Sequence, residues 1–242
     1  MRLLHLNSKS KLPRQHPSGF TLIELLVVVS IMVVVASIIF VGGNSGSGTK
    51  IKAAQRIVSG IAQGARGQAV LKNMPARLIV YADSTNNQSD DKILRFCGVV
   101  YGDSNDVDND GVPLSWLAAN QGTFLPEGIY LNVAKSNVKN ASLGALPKMK
   151  LNYPRAKSVK EGTGDEYYYY EFSDNGTMAS NPDNFNNAWF VLQAGDLLPQ
   201  GANGRMQVDF SAQENEYLLA GLIFRRVGTT TLVSDPDVIV GN

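Results

Sequence analysis

The sequence predicts an α+β protein: a long N-terminal helix, its first half able to cross a membrane, followed by an antiparallel β-sheet domain. Three patterns carry this expectation. Residues 25–41 run LLVVVSIMVVVASIIFV without a charge. Ile51, Ala54, Val58, Ile61, Ala65 and Ala69 then recur at three- and four-residue steps, the period of one helix face. Beyond residue 75, short apolar and aromatic runs alternate with turn clusters, as strands do.

Composition narrows the function classes. A chain of 242 residues with 44% hydrophobic content has room for one membrane helix and one moderate core. Arg2, Lys9, Lys11 and Arg14 make the first 19 residues basic, with no acid among them. Without those four, 18 Lys and Arg face 21 Asp and Glu, a balance of −3 for residues 20–242. Such a body argues against general attraction to nucleic acid, which needs clustered cations. Both histidines, His5 and His16, also fall in the first 19 residues. The remainder therefore lacks the side chain that most often performs acid–base chemistry near neutral pH, and the chain is not expected to be an enzyme. Cys97 is the single cysteine. It cannot form an internal disulfide, and in the run Ile93 to Val100 it reads as a small buried hydrophobe.

The N-terminal element comes first. Thirteen of residues 25–41 are Leu, Val, Ile or Phe, worth roughly 4 to 8 kcal/mol towards insertion. Seventeen helical residues span roughly 26 Å, and adding 20–24 makes the segment long enough for a bilayer core. The basic flank places the N-terminus in the cytoplasm and everything after Val41 on the far side. A buried soluble helix is the plainer alternative.

Glu24 is the anomaly. A carboxylate at the head of a membrane helix is costly and implies a partner. Ser18-Gly19-Phe20-Thr21-Leu22-Ile23-Glu24-Leu25-Leu26, followed by an apolar stretch, resembles the processing site of type IV prepilins and type II secretion pseudopilins. The resemblance implies a leader over residues 1–19, cleavage between Gly19 and Phe20 by a prepilin peptidase, and methylation of the new Phe20 amine. It also implies that Glu24 pairs with the N-terminal amine of a neighbouring subunit during assembly. By the same resemblance the fold is pilin-like, in the bacterial inner membrane with a periplasmic globular domain, and later in a pilus or pseudopilus. Its implied partners are other pilin or pseudopilin subunits and the inner-membrane assembly machinery. The competing reading is an ordinary signal peptide cut after Gly43, at Val41-Gly42-Gly43.

Residues 42–48 (GGNSGSG) read as a flexible link. Thr49 is placed to cap a helix over 49–74, which Pro75 ends. Gly60, Gly64 and Gly67 within it read as a close-packing surface against the sheet. Strands are expected at 77–81, 93–101, 128–133, 167–172, 189–192, 217–227 and 230–233 of a β-rich domain over 75–242. Asp174-Asn175-Gly176 and Val227-Gly228-Thr229 read as tight turns. Polar segments 83–91, 102–112 and 134–163 read as surface loops. Gly64 to Val70, Met74 to Leu78, Leu125 to Ile129 and Phe172 to Gly176 resemble, more loosely, the GspH/FimT group of minor pilins and pseudopilins.

Three further clusters invite a site. Asp106, Asp108 and Asp110, followed by Gly111, match the opening half of a calcium loop, but the twelfth position is Leu117 where a Glu belongs. Ca²⁺ binding and a solvated acidic loop both stand. Tyr167 to Tyr170 would send two rings to each strand face. Arg225-Arg226 would suit a nucleic-acid grip, opposed by the nearby Asp235 and Asp237. The leading function is a structural, minor subunit of a type II secretion pseudopilus or type IV pilus; a pilin-like adhesin or DNA-binding tip subunit is the alternative.

Overall fold

The computed structural model describes residues 22–42, 46–83, 90–138, 146–154, 157–179, 188–200 and 205–240, with the backbone alone at 33–42, 200, 236 and 240. The chain forms two compact units, residues 1–44 and 45–242. In the first, helix α1 runs from Leu22 to Gly42, and its side chains from 22 to 32 are exposed. The second holds the rest: a helix followed by antiparallel strands, the α+β body expected.

Helix α2 spans Ser47–Lys72. It begins before Thr49, which caps nothing: Gly46 holds the N-cap position and its carbonyl accepts from Lys50 N–H at 2.9 Å. The helix stops at Asn73, whose left-handed backbone (φ 51°) lets Met74 N–H reach Ala69 O at 3.2 Å. Pro75 then has no N–H to extend the ladder.

Thirteen strands follow: β1 (Ala76–Tyr81), β2 (Phe96–Gly102), β3 (Ser115–Ala118), β4 (Thr123–Phe124), β5 (Ile129–Leu131), β6 (Lys148–Leu151), β7 (Val159–Lys160), β8 (Asp165–Phe172), β9 (Ala188–Ala194), β10 (Asp196–Gln200), β11 (Arg205–Asp209), β12 (Leu219–Phe224) and β13 (Thr230–Val233). One sheet has the order β6-β8-β1-β2-β3-β7, with β4 pairing β2; a second has β13-β12-β9-β5; β10 and β11 form a separate hairpin. A short helix α3, Pro236–Val240, closes the described chain. All seven expected strands exist. The segment 134–163 is not one loop, since β6 and β7 lie within it and join the first sheet.

Burial explains the layering. Ile51, Ala54, Val58, Ala62, Ala65 and Ala69 of α2 share one core with Leu78, Val80, Cys97, Val99, Tyr170 and Phe172 of the first sheet and with Leu131, Phe190, Leu192, Leu222 and Phe224 of the second. Small alanines let the helix sit close to both sheets. The other face of the first sheet carries its own core, with Ile79, Tyr81, Val100, Trp116, Met149 and Tyr167. The outer face of the second sheet packs Val191 and Leu219 against Ile239 of α3.

The sheets meet at Leu94. Its N–H donates to Tyr81 O and its carbonyl accepts from Leu131 N–H, both at 2.9 Å. Leu94 does this with φ 54°, a left-handed conformation that costs a branched side chain about 1–2 kcal/mol. Tyr170 makes a second tie, its hydroxyl donating to Trp189 O at 2.7 Å.

Candidate functional site

The residues singled out at the N-terminus divide between described and undescribed chain. Gly19 and Phe20 lie outside the described residues. Glu24 stands in the first turn of α1, exposed among Leu22 (82% accessible), Ile23 (70%) and Leu25 (63%). A helix N-terminus favours a carboxylate through its unpaired N–H groups. Among the described residues, no helix is long and apolar enough to cross a membrane. The second half of the apolar run, 33–41, is described by its backbone alone.

Two tyrosines turn to each face of β8, as alternation requires. Tyr168 and Tyr170 belong with the α2 core, Tyr167 and Tyr169 with the second core. Tyr81 and Tyr167 meet edge to face at 5.4 Å. Burial raises the Tyr170 phenol well above its ordinary range. The row therefore serves packing on both sides.

Asp106, Asp108 and Asp110 lie on a tight connection between β2 and β3, and the carboxylates of Asp106 and Asp108 accept local hydrogen bonds. Asp106 Oδ2 accepts the Ser115 hydroxyl. Asp108 Oδ1 accepts Asp110 N–H at 3.0 Å and Val112 N–H at 2.8 Å. Gly111 (φ 78°) turns the chain, and Leu117 pairs with Tyr101 inside β3. Among the described residues, no three His, Cys, Asp or Glu side chains group as a metal site would require. The cluster is a turn, and Asp103, beside it, is held below the usual carboxylate range by the Asn105 N–H.

Arg225 and Arg226 are exposed on the turn after β12. Arg225 N–H donates to Thr229 O at 2.8 Å, and Arg226 O accepts from Met178 N–H at 3.0 Å. Cys97 is fully buried, and loss of solvent pushes its thiol up to about 12. It is a packing residue.

The glycines of α2 correct the sequence reading. Gly60, Gly64 and Gly67 are exposed, and a methyl group added to any of them would meet nothing within 4 Å. The helix approaches its sheets through alanines, on the opposite side. At about 100° per residue, the glycines fall across the helix from Val58, Ala62 and Ala69; that phase was available in the sequence.

One cluster had no local signal. Arg77 of β1 lies flat between aromatic rings, its guanidinium carbon 4.0 Å from the Trp116 centroid and 4.2 Å from that of Tyr169. Its Nε donates to Glu171 at 2.5 Å and its Nη1 to Glu161 at 2.8 Å. Glu161 Oε2 also accepts the Trp116 indole N–H at 3.0 Å. Stacked, doubly paired and only 12% accessible, Arg77 pins β3 and the end of β7 to the sheet. It is a satisfied structural cluster.

Among known proteins, residues 14–40 match the model of the prokaryotic N-terminal methylation motif. That segment brackets Gly19, Phe20 and Glu24 and ends within the apolar run. Over this segment the chain is similar to the type IV prepilins and pseudopilins. No curated protein and no solved structure matches the chain.

Proposed function

We propose that this protein is a minor structural subunit of a type II secretion pseudopilus or a type IV pilus, of the GspH/FimT kind. A prepilin peptidase cuts between Gly19 and Phe20 and methylates the Phe20 amine. The apolar helix holds the processed subunit in the bacterial inner membrane, with the body on the periplasmic side. Assembly machinery then moves it into a filament, where Glu24 pairs with the amine of a neighbouring subunit. The role is structural rather than catalytic.

The match over 14–40 carries this reading. It is supported by the order of its parts: a basic flank, Gly19, Phe20, Glu24, then an uncharged run. An unpaired carboxylate in lipid is expensive, whereas a matched pair fixes the axial position of one helix against another. The body supports it more generally, as a helix backed by antiparallel sheets.

The test is the mass of the mature N-terminus, purified from a strain with its prepilin peptidase intact. The expected N-terminus is Phe20 with one added methyl group. Retention of the first 19 residues, or a start at Asn44, would overturn the reading. Gly19→Glu should leave the chain uncut.

A further inference from the structure

The cavity beneath the β10–β11 hairpin is unrelated to the N-terminal motif, and it has the character of a ligand site. Its volume is about 700 Å³, inside the range of roughly 300–1,000 Å³ typical of small-molecule pockets. Ile93, Leu94, Met206 and Phe210 give it an apolar wall, Tyr168 adds a half-buried ring, and among the described residues Arg205 is the one charged member of its lining. Arg205 is exposed and makes no ion pair among the described residues. The strained backbone at Leu94 (φ 54°) belongs to the same wall. The hairpin, which supplies Met206 to that wall, pairs with neither main sheet and joins β9 through Gly195, whose N–H donates to Gly128 O at 3.0 Å.

We propose that this cavity binds a small amphipathic carboxylate. The apolar body lies against Ile93, Leu94, Met206 and Phe210, with Tyr168 offering a face for an aromatic ring. The carboxylate sits on the Arg205 guanidinium, whose planar fork matches its two oxygens. One guanidinium without an ion pair among the described residues suits a singly charged head, and none of the described lining residues is an acid that would oppose that charge. This site does not depend on the filament reading, and either can fail without the other.

The experiment uses the full chain in lipid nanodiscs, with isotope-labelled methyl groups of Ile93 and Met206 as local reporters. The probes are 2-naphthoate and its uncharged relative 2-naphthol. Saturable shifts of both methyl signals with 2-naphthoate, tighter than with 2-naphthol, are the expected result. Arg205→Gln should weaken 2-naphthoate by about tenfold, the loss of one charge-assisted contact, and leave 2-naphthol unchanged. Met206→Trp, filling the cavity, should abolish both responses at Ile93. Arg205 is exposed, so Arg205→Gln should unfold at the parent temperature, which separates a binding effect from a folding one. The proposal is overturned if neither methyl shifts saturably in the millimolar range, if the two probes bind alike, or if Arg205→Gln weakens both equally.

Discussion

Gly228 lies against the carbonyl of Gly176: a methyl carbon placed on Gly228 would stand 2.0 Å from that oxygen. Both residues occupy tight turns with positive φ, 79° and 78°. Arg66 of α2 reaches across to donate its Nε–H to Gly176 O at 3.2 Å. Two turns from distant parts of the chain are thus seated on the same stretch of α2.

Gly228→Ala should therefore be among the most damaging single changes in the turns of the body, since Gly228 is buried. It combines left-handed strain with a clash against backbone, a loss of about 2–4 kcal/mol. Urea unfolding of the purified protein measures it. A midpoint equal to that of the parent would show that the turns do not touch.

Gly60→Ala, Gly64→Ala and Gly67→Ala should act in the opposite direction. Each adds a methyl group to open space on an α-helix, and each should stabilise the body by about 0.5–1 kcal/mol. Thermal unfolding of the triple variant checks the sum. If the bare helix face is a contact surface in a filament, the same variant will be more stable yet incorporate less well, a combination that a purely internal role cannot produce.

Arg77→Met removes two carboxylate contacts and two ring stacks while keeping much of the side-chain volume. Glu161 and Glu171 are left half-exposed without their cation, and a cost of about 2 kcal/mol is expected. Arg77→Lys should recover part of it, because a point charge can meet one carboxylate but cannot stack flat. Equal stability of Arg77→Met and the parent would remove the cluster from the account.

Cys97 sets a pH dependence. Its folded thiol titrates at about 12 against an ordinary value of 9.0, through burial. A raised folded value means that the stabilisation is complete below pH 9 and is lost between pH 9 and pH 12. Tyr153, pushed up to about 12 by burial, acts in the same sense from pH 10 upward. Stability measured from pH 8 to 11 should fall, and fall less steeply in Cys97→Ala. The native thiol should also resist a disulfide reagent at pH 8 and react only on unfolding; rapid labelling of folded protein would contradict its burial.

Glu24→Leu tests the assembly step. Cleavage should proceed, because Glu24 follows the cut bond, while recovery of the subunit in sheared filaments should drop several-fold. Recovery at the parent level would rule out the pairing with a neighbouring amine.

The strands legible in the sequence were those built from unbroken apolar or aromatic runs, such as Trp189 to Leu192 and Tyr167 to Phe172. Those that escaped notice have weaker local patterns. Lys148–Leu151 alternates Lys with Met and Leu over only four residues. Asp196–Gln200 contains Pro199, which fits a strand only at an edge, and β10 belongs to a hairpin with two edges. Thr49 looked like a cap because it is a good capping residue, but the helix had already started on a Gly/Ser run. The Arg77 cluster gathers residues 77, 116, 161, 169 and 171, and no local window contains that set. Glu24 and its neighbours, by contrast, form a motif contiguous along the chain and needed no folding to be seen.

Helix α2 is anchored to both sheets by more than its alanines. Gln55, buried, donates its amide to Gly221 O at 2.8 Å and to Val233 O at 2.9 Å, while Arg66, more than two turns further on, holds the turn at Gly176. A tug entering the body at Ser47 would reach both sheets together, and these bonds would have to yield in concert rather than one after another. Under load, the body should resist as a bolted beam resists, giving way in one step at high force.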